Sequence, residues 1–309
     1  MIITVTMNPA IDKTVEIEKL EHGGLNRIKC ITIDAGGKGI NVSKTIKALG
    51  GESLATGFLG GNNGKTIQKL LDNEEIATDF ITVDAETRIN TKIVEVDGLV
   101  TELNEPGAII DMESIERLIE VIKRNLKEHT IVVLSGSVPG NVSPSVYQMI
   151  TESIRPYGVK VLVDADGELF VRALEGKPNI IKPNQVELEK YMGRAIESRQ
   201  DYLEAGNILL DKGIEVVIIS MGEKGAYFLS RETKLYCHGL DVEVHSTVGA
   251  GDAMVAAFSY GMSKEYSFEE CAKLAIATSA GAVSTVGTKA PTQKDVNYLF
   301  GKVSLEVIK

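Results

Sequence analysis

Eleven residues in the last quarter of this 309-residue chain carry its strongest chemical signal: Ser246-Thr247-Val248-Gly249-Ala250-Gly251-Asp252-Ala253-Met254-Val255-Ala256. Small residues, then one acid, then an apolar run read as a turn that opens a helix. A helix N-terminus carries backbone N–H groups with no intrahelical partner and attracts anions. Gly249 and Gly251 have no Cβ, so a phosphate can approach the backbone closely. Asp252 stands where its carboxylate could take a proton from a hydroxyl beside that phosphate. An anion cradle next to a base is what transfer of a phosphoryl group to an alcohol requires. The segment also satisfies a plainer reading, a tight strand-to-helix turn in which Asp252 complements the helix dipole.

A second glycine-rich stretch, Ala35-Gly36-Gly37-Lys38-Gly39-Ile40-Asn41-Val42-Ser43, opens a helix with Ile40, Ile46 and Leu49 at apolar positions. Lys38 supplies a point charge, and Asn41 offers a donor and an acceptor for sugar hydroxyls. Asp12, shortly after Asn8-Pro9, suits paired hydrogen bonds to a diol, although a loop acid needs no such reason. Gly60-Gly61-Asn62-Asn63-Gly64-Lys65-Thr66 imitates a P-loop, but that motif needs four residues between its first glycine and the Gly-Lys pair. Counting back from Gly64 puts Leu59 in the first-glycine position, so this stretch is expected to bind no phosphate in that manner.

The elements that must position these residues follow from hydrophobic patterning. From residue 130 onward short apolar runs end in polar or Gly-rich residues: Ile131 to Leu134 at Ser135-Gly136, Val159 to Val163 at Asp164, Ile180-Ile181 at Lys182-Pro183-Asn184, and Val216 to Ile219 at Ser220-Met221-Gly222. Helical patterns separate them; the clearest carries Ile115, Leu118, Ile119, Ile122 and Leu126 between charged residues. Apolar strands joined by helices predict an α/β fold with a mostly parallel sheet covered on both faces, and such sheets bind ligands beyond their carboxyl ends. Two stretches break the rhythm. Residues 11–34 and 86–105 alternate apolar and polar, and Asp97-Gly98 is a hairpin signal. They predict a small sheet, wet on one face, that serves as a lid or else as a surface flap. The α/β core is then expected over 1–10, 35–85 and 106–309.

Composition narrows the classes of function. Hydrophobic residues make up 43% and charged residues 25%, with a net charge of −10. No Lys/Arg run stands out, which disfavours nucleic acids and anionic membranes as partners. Three widely spaced cysteines, Cys30, Cys237 and Cys271, form no disulfide framework or zinc motif and fit a reducing compartment. The first residues read as a strand rather than a signal peptide, and no apolar run approaches ~18 residues, so a cytoplasmic protein is expected.

Taken together the motifs carry a resemblance. Asn8-Pro9-Ala10-Ile11-Asp12, Gly36-Gly37-Lys38-Gly39-Ile40-Asn41, Lys182-Pro183-Asn184-Gln185-Val186-Glu187, Ser220-Met221-Gly222-Glu223-Lys224-Gly225 and Thr247-Val248-Gly249-Ala250-Gly251-Asp252 occur in an order and spacing that resembles the ribokinase-like (PfkB) carbohydrate kinases over essentially the whole chain. The resemblance implies a three-layer α/β/α core with a β-lid over a sugar site, and ATP with Mg²⁺ as cosubstrate and cofactor. Asp252 would be the base, with the backbone of Gly249, Ala250 and Gly251 as anion hole. Lys182, Asn184, Ser220, Met221, Gly222, Glu223, Lys224, Gly225, Thr247 and Val248 would border the nucleotide. Glu187 would act on Mg²⁺ through water, and Asp164 is a second candidate in the metal's outer shell or else a plain strand-end cap. Many members carry Asp where this chain has Ser246, so the resemblance does not extend to a potassium site, and monovalent-cation dependence stays open.

The acceptor is narrowed by cations. Arg27, Lys38 and Arg88 fall around the expected lid and suggest a substrate that already carries phosphate, unless the two arginines are solvated strand-end charges. Thr87-Arg88-Ile89-Asn90-Thr91-Lys92, Thr101 to Gly107, and Leu134-Ser135-Gly136-Ser137-Val138-Pro139 most resemble bacterial 1-phosphofructokinases, whose tagatose-6-phosphate kinase relatives share much of this pattern. Fructose 1-phosphate is therefore the expected acceptor. Asp12, Gly36, Gly37, Asn41 and Asn90 would hold its hydroxyls, and Arg27, Lys38, Arg88 and Ser137 its phosphate. Tagatose 6-phosphate is the alternative, and a non-catalytic sugar-phosphate sensor the alternative of another class. The wet lid sheet is a candidate homodimer surface.

Overall fold

The computed structural model describes residues 1–285, 287 and 289–308. Fifteen strands are found among them. In chain order they are β1 (Ile2–Thr6), β2 (Ala10–Ile17), β3 (Cys30–Gly36), β4 (Ser53–Gly60), β5 (Ala77–Thr78), β6 (Ile81–Val83), β7 (Arg88–Glu95) and β8 (Val100–Asn104). They continue with β9 (Ile131–Ser135), β10 (Lys160–Asp164), β11 (Ile180–Ile181), β12 (Val216–Ser220), β13 (Gly225–Leu229), β14 (Lys234–His238) and β15 (Leu305–Ile308).

Eleven of these form one sheet in the order β15-β14-β13-β12-β11-β10-β9-β1-β4-β5, with β6 also on β4. From β12 through β4 the pairing is parallel. Strands buried on both faces need apolar residues at odd and even positions alike. In β1, Ile2 faces a core shared with Ile131, Val133 and Phe258, while Ile3 and Val5 face another shared with Val132, Leu134 and Leu118. The helices Lys38–Ala48, Ala250–Ser263 and Phe268–Val283 cover the first side, and Met112–Asn125, Val146–Ile154 and Arg199–Asp211 the second. Burying a side chain such as Ile122 or Phe258 contributes about 1.5–3 kcal/mol. The edge β13-β14-β15 is antiparallel, which the alternation read from residue 130 onward does not reveal.

The four remaining strands form a separate sheet in the order β3-β2-β7-β8. The chain leaves β1 at Thr6 and enters β2 at Ala10, so the small sheet is rooted at the carboxyl end of the large one. Ala10 pairs with Gly36 on one side and Arg88 on the other, and β3 then runs directly into the helix Lys38–Ala48. Gly98, at φ 88°, turns β7 into β8. No helix among the described residues is long and apolar enough to cross a membrane.

Candidate active site

β1, β9, β10, β11 and β12 end at one edge, and the residues at or just past those ends, Thr6, Ser135, Asp164, Lys182 and Ser220, line a cleft of about 560 Å³. The polar face of the small sheet supplies Asp12, Arg88, Asn90, Lys92, Glu102 and Asn104 to the same cleft. Gly249, Gly251 and Asp252 supply its floor from the start of the helix Ala250–Ser263. Gly249 has φ 87°, a conformation that lets the chain turn sharply into that helix. The first helical turn leaves the N–H groups of Ala250, Gly251 and Asp252 without i−4 carbonyls.

Asp252 is only 6% exposed, and Asn41 Nδ2 donates to its Oδ2 at 2.8 Å. Burial, aided by the nearby Asp164 charge, pushes its carboxyl up to about 6, against the opposing pull of Lys38, Asn41 and Lys182. A carboxylate that still ionises near neutral pH but binds a proton more tightly than usual is suited to general-base work. Asp164, 2% exposed, is held by two lysines, Lys182 Nζ at 3.1 Å and Lys38 Nζ at 3.6 Å. Burial alone would raise it, but the two ammonium groups outweigh that and keep it below the usual carboxylate range. Lys38 in turn is held protonated, chiefly by Asp164.

Asp12 is raised by burial, with Lys92 pulling the other way. Asn90 Nδ2 reaches its Oδ1 at 3.5 Å. A Cβ on Gly36 would lie 2.4 Å from the Asp12 carboxyl carbon, so the glycine makes the space that this acid occupies. Five buried polar atoms of the cleft lining make no hydrogen bond among the described residues: Asp164 Oδ1, which has its ion pair to Lys182, and Thr6 Oγ1, Asn41 Oδ1, Arg88 Nε and Asn90 Oδ1, which have no partner at all. Unpartnered polar atoms are costly unless a ligand completes them. Two amide oxygens, a hydroxyl and a guanidinium N–H match a polyol or phosphate.

Asn184 and Glu187 close a capping box at the helix Gln185–Met192: Asn184 Oδ1 accepts the Glu187 N–H at 2.8 Å, and Glu187 Oε2 accepts the Asn184 N–H at 2.9 Å. Burial raises the Glu187 carboxyl. Among the described residues no three His, Cys, Asp or Glu side chains converge to hold a metal ion. One carboxylate with an oxygen already engaged fits the water shell of a Mg²⁺ ion carried by phosphates, and does not fit a protein cage.

Of the residues singled out from sequence, Asp12, Gly37, Lys38, Asn41, Arg88, Asn90, Ser137, Asp164, Lys182, Asn184, Glu187, Ser220, Gly222, Val248, Gly249, Gly251 and Asp252 line this cleft. Arg27 does not. It is in the connection between β2 and β3 and borders a separate groove with Glu18, Glu21 and Lys29. Gly36 acts from behind Asp12. Met221 packs on the core, Glu223, Lys224 and Thr247 are exposed outside the lining, and Ala250 sits between two lining glycines. Gly225 is required by the hairpin itself, since a Cβ there would meet Cys237 O at 2.1 Å. The structure adds Thr6 and Asp166, and also Lys92, Glu102 and Asn104, which fall inside stretches quoted for the resemblance but receive no role there. Arg88, Asn90 and Lys92 share one strand face by alternation, so for Lys92 a sequence signal exists.

The P-loop imitation is explained as well. It does open a helix, Gly61–Asn73, directly after β4. The Glu86 carboxylate sits on that N-terminus, accepting the Asn63 N–H at 2.6 Å, where a P-loop would hold phosphate.

Comparison with known proteins agrees with this geometry. The model for the pfkB family of carbohydrate kinases matches residues 3–295. The 1-phosphofructokinase of Bacillus subtilis (strain 168) is 36% identical over 305 residues, 99% of this chain and 99% of that protein. The 1-phosphofructokinase of Escherichia coli (strain K12) is 34% identical over 305 residues, 99% of this chain and 98% of that protein. Among solved structures, phosphofructokinase-2 from Escherichia coli in complex with fructose-6-phosphate superposes with a TM-score of 0.91 at 26% identity, covering 97% of this chain and 98% of that one. Arabidopsis thaliana ribokinase, at 24% identity and TM-score 0.78 with 97% and 98% coverage, shares the fold. The chain belongs to the pfkB family of carbohydrate kinases and is a phosphotransferase that acts on a hydroxyl group.

Proposed function

We propose that this family member transfers the γ-phosphoryl of ATP to the C6 hydroxyl of fructose 1-phosphate, with Asp252 as the base. The observation that carries the reading is the buried Asp252 carboxylate, raised to about 6 and bonded to Asn41 at 2.8 Å, at the mouth of an N-terminal turn rich in glycine. The identity to 1-phosphofructokinases over nearly the full chain supports the acceptor.

In this reading Asp12, Asn41 and Asn90, with the Gly36-Gly37 backbone, hold sugar hydroxyls, and Asn41 orients Asp252 against the one that reacts. Asp252 accepts the proton as the hydroxyl oxygen bonds to phosphorus and the bond from phosphorus to the ADP oxygen breaks. N–H groups at Gly249, Ala250 and Gly251 face the charge that develops, and one such donor is worth about 3–4 kcal/mol of barrier. Lys38 and Lys182, held in place by Asp164, flank the polyphosphate; Asn184, Ser220, Gly222 and Val248 border the nucleotide. Mg²⁺, when bound with ATP, neutralises phosphate charge, and Glu187 reaches it through water, with Asp164 further back. Arg88 Nε and Ser137 are left for the acceptor's own phosphate. Closure of the small sheet over the cleft excludes water. The exposed apolar residues Ile31, Ile33 and Leu103 on that sheet support its pairing with a second copy, and three unpaired cysteines suit a cytoplasmic setting.

The test is an ADP-release assay with Mg-ATP and fructose 1-phosphate, tagatose 6-phosphate, fructose 6-phosphate or ribose. A kcat/KM far higher for fructose 1-phosphate supports the reading. Preference for tagatose 6-phosphate would keep the chemistry and overturn the acceptor, and no turnover would overturn both.

A further inference from the structure

Four cations line the cleft among the described residues, Lys38, Arg88, Lys92 and Lys182. Three are already engaged. Lys38 and Lys182 share the Asp164 carboxylate. Arg88 donates from its two terminal nitrogens to Glu105 O and Asn8 O, each at 2.9 Å, and so ties the first residue of β7 to the chain on either side. Each terminal nitrogen keeps a second N–H and Nε is unpartnered, but the two carbonyls fix the guanidinium at the root of the small sheet. Lys92, half-buried, is the lining cation with neither a hydrogen bond nor an ion pair among the described residues.

Strand register says what this ammonium faces. Asp12, Asn90 and Asn104 form one row across the small sheet, and Thr14, Lys92 and Glu102 form the next. Rows on one face of a strand are separated by about 7 Å. The first row offers a carboxylate and two amides, groups that hold hydroxyls. A hexose held at its hydroxyls by the first row, with its long axis along the strands, presents a terminal substituent to the second row. There Glu102, directly opposite Lys92 and lining the same cleft, offsets one positive charge. A doubly charged substituent therefore gains little from the row as a whole and must contact Lys92 itself.

We propose that Lys92 is the residue that makes the acceptor a sugar phosphate and not a free sugar, by binding the phosphate directly, with Glu102 opposing it and setting the strength of that contact. The inference rests on the sugar-phosphate reading above. Arg88, left for that phosphate beside Lys92, also anchors the root of the small sheet, so its substitution acts on the substrate through that anchoring as well.

The experiment measures KM for the best sugar phosphate and for ATP, in wild type, Lys92→Met, Lys92→Arg and Glu102→Gln. A charge-assisted contact of this kind corresponds to roughly a 10- to 100-fold change in affinity. Lys92→Met is expected to raise the sugar-phosphate KM by that factor with the ATP KM unchanged. Lys92→Arg is expected to restore most of the loss, and Glu102→Gln to lower the sugar-phosphate KM. A sugar-phosphate KM within twofold of wild type in Lys92→Met overturns the proposal alone. So does a parallel rise in both KM values that Lys92→Arg fails to reverse, because general damage explains it. Wild type that turns over ribose but no sugar phosphate overturns the sugar-phosphate reading and this inference with it.

Discussion

Replacing Asp252 by Asn should abolish turnover and at the same time make the protein more stable. Ionised Asp252 is buried, with its carboxyl raised from 3.8 to about 6 in the fold. The folded state thus binds this proton more tightly than the unfolded chain does, so the group favours folding below about pH 4 and opposes it once pH has risen through 6. A rise of that size corresponds to about 3 kcal/mol of lost stability at pH 7. An asparagine in its place would be neutral at every pH and would still accept from Asn41 Nδ2 through its amide oxygen. Over a chain of this length about 3 kcal/mol is a Tm gain of ~4 °C. The gain should shrink steadily as pH falls from 6 and be nearly gone by pH 4. Calorimetry of wild type and Asp252→Asn at pH 7, 5.5 and 4 reads this directly, and ADP release reads the loss of kcat. In wild type, kcat/KM should be about half its plateau at pH 6 and about a tenth at pH 5. A variant less stable than wild type at pH 7, or one that keeps near-normal kcat, would refute a buried ionised base at this position.

Other perturbations separate the parts of the cleft. Gly36→Ala drives a methyl group into the Asp12 carboxyl and should raise the acceptor KM at least tenfold with the ATP KM unchanged, in the same assay. Lys182→Met leaves buried Asp164 with the longer Lys38 ion pair and a 3.4 Å hydrogen bond from Ser135, and should destabilise the fold by about 3–5 kcal/mol, measured by urea titration at pH 7. Arg88→Lys keeps the charge but loses at least one of two carbonyl contacts; a Tm drop together with a raised acceptor KM is expected, where a pure phosphate contact would change KM alone. Glu187→Ala opens the capping box and should lower stability by about 1 kcal/mol while raising the Mg²⁺ concentration needed for half-maximal rate.

Much of the site is legible in the sequence because its residues sit where local rules put them. Gly249 to Asp252 form a helix start, Lys38 opens a helix, and Asp164, Lys182 and Ser220 end apolar runs. Each position is fixed by turn chemistry or period, which a single sequence displays. What stays hidden depends on distance along the chain. The Asp164 carboxylate between Lys38 and Lys182 joins Lys38 to residues more than a hundred positions away, and no spacing encodes that pairing. Arg27 departs from expectation because a cation near a lid in sequence need not face the cleft; it lies in the connection between β2 and β3, on a separate groove. Lys92 is legible in principle, two residues past Asn90 on an alternating strand, but nothing local distinguishes it from the many solvated lysines of strand faces. The antiparallel edge escapes because β13 is wholly buried and carries no alternation to distinguish it from a parallel strand.

The hydrogen bond between Asn41 and Asp252 spans 211 residues. On a ribosome adding ~5–20 residues each second, the glycine-rich stretch near Asn41 emerges on the order of ten seconds or more before its partner exists. During that interval β1, β4 and β9 can assemble, yet the carboxylate and the helix N-terminus to which the proposed mechanism assigns the chemistry are still unmade. Under that mechanism, fragments released before residue 250 would lack any group able to drive phosphoryl transfer.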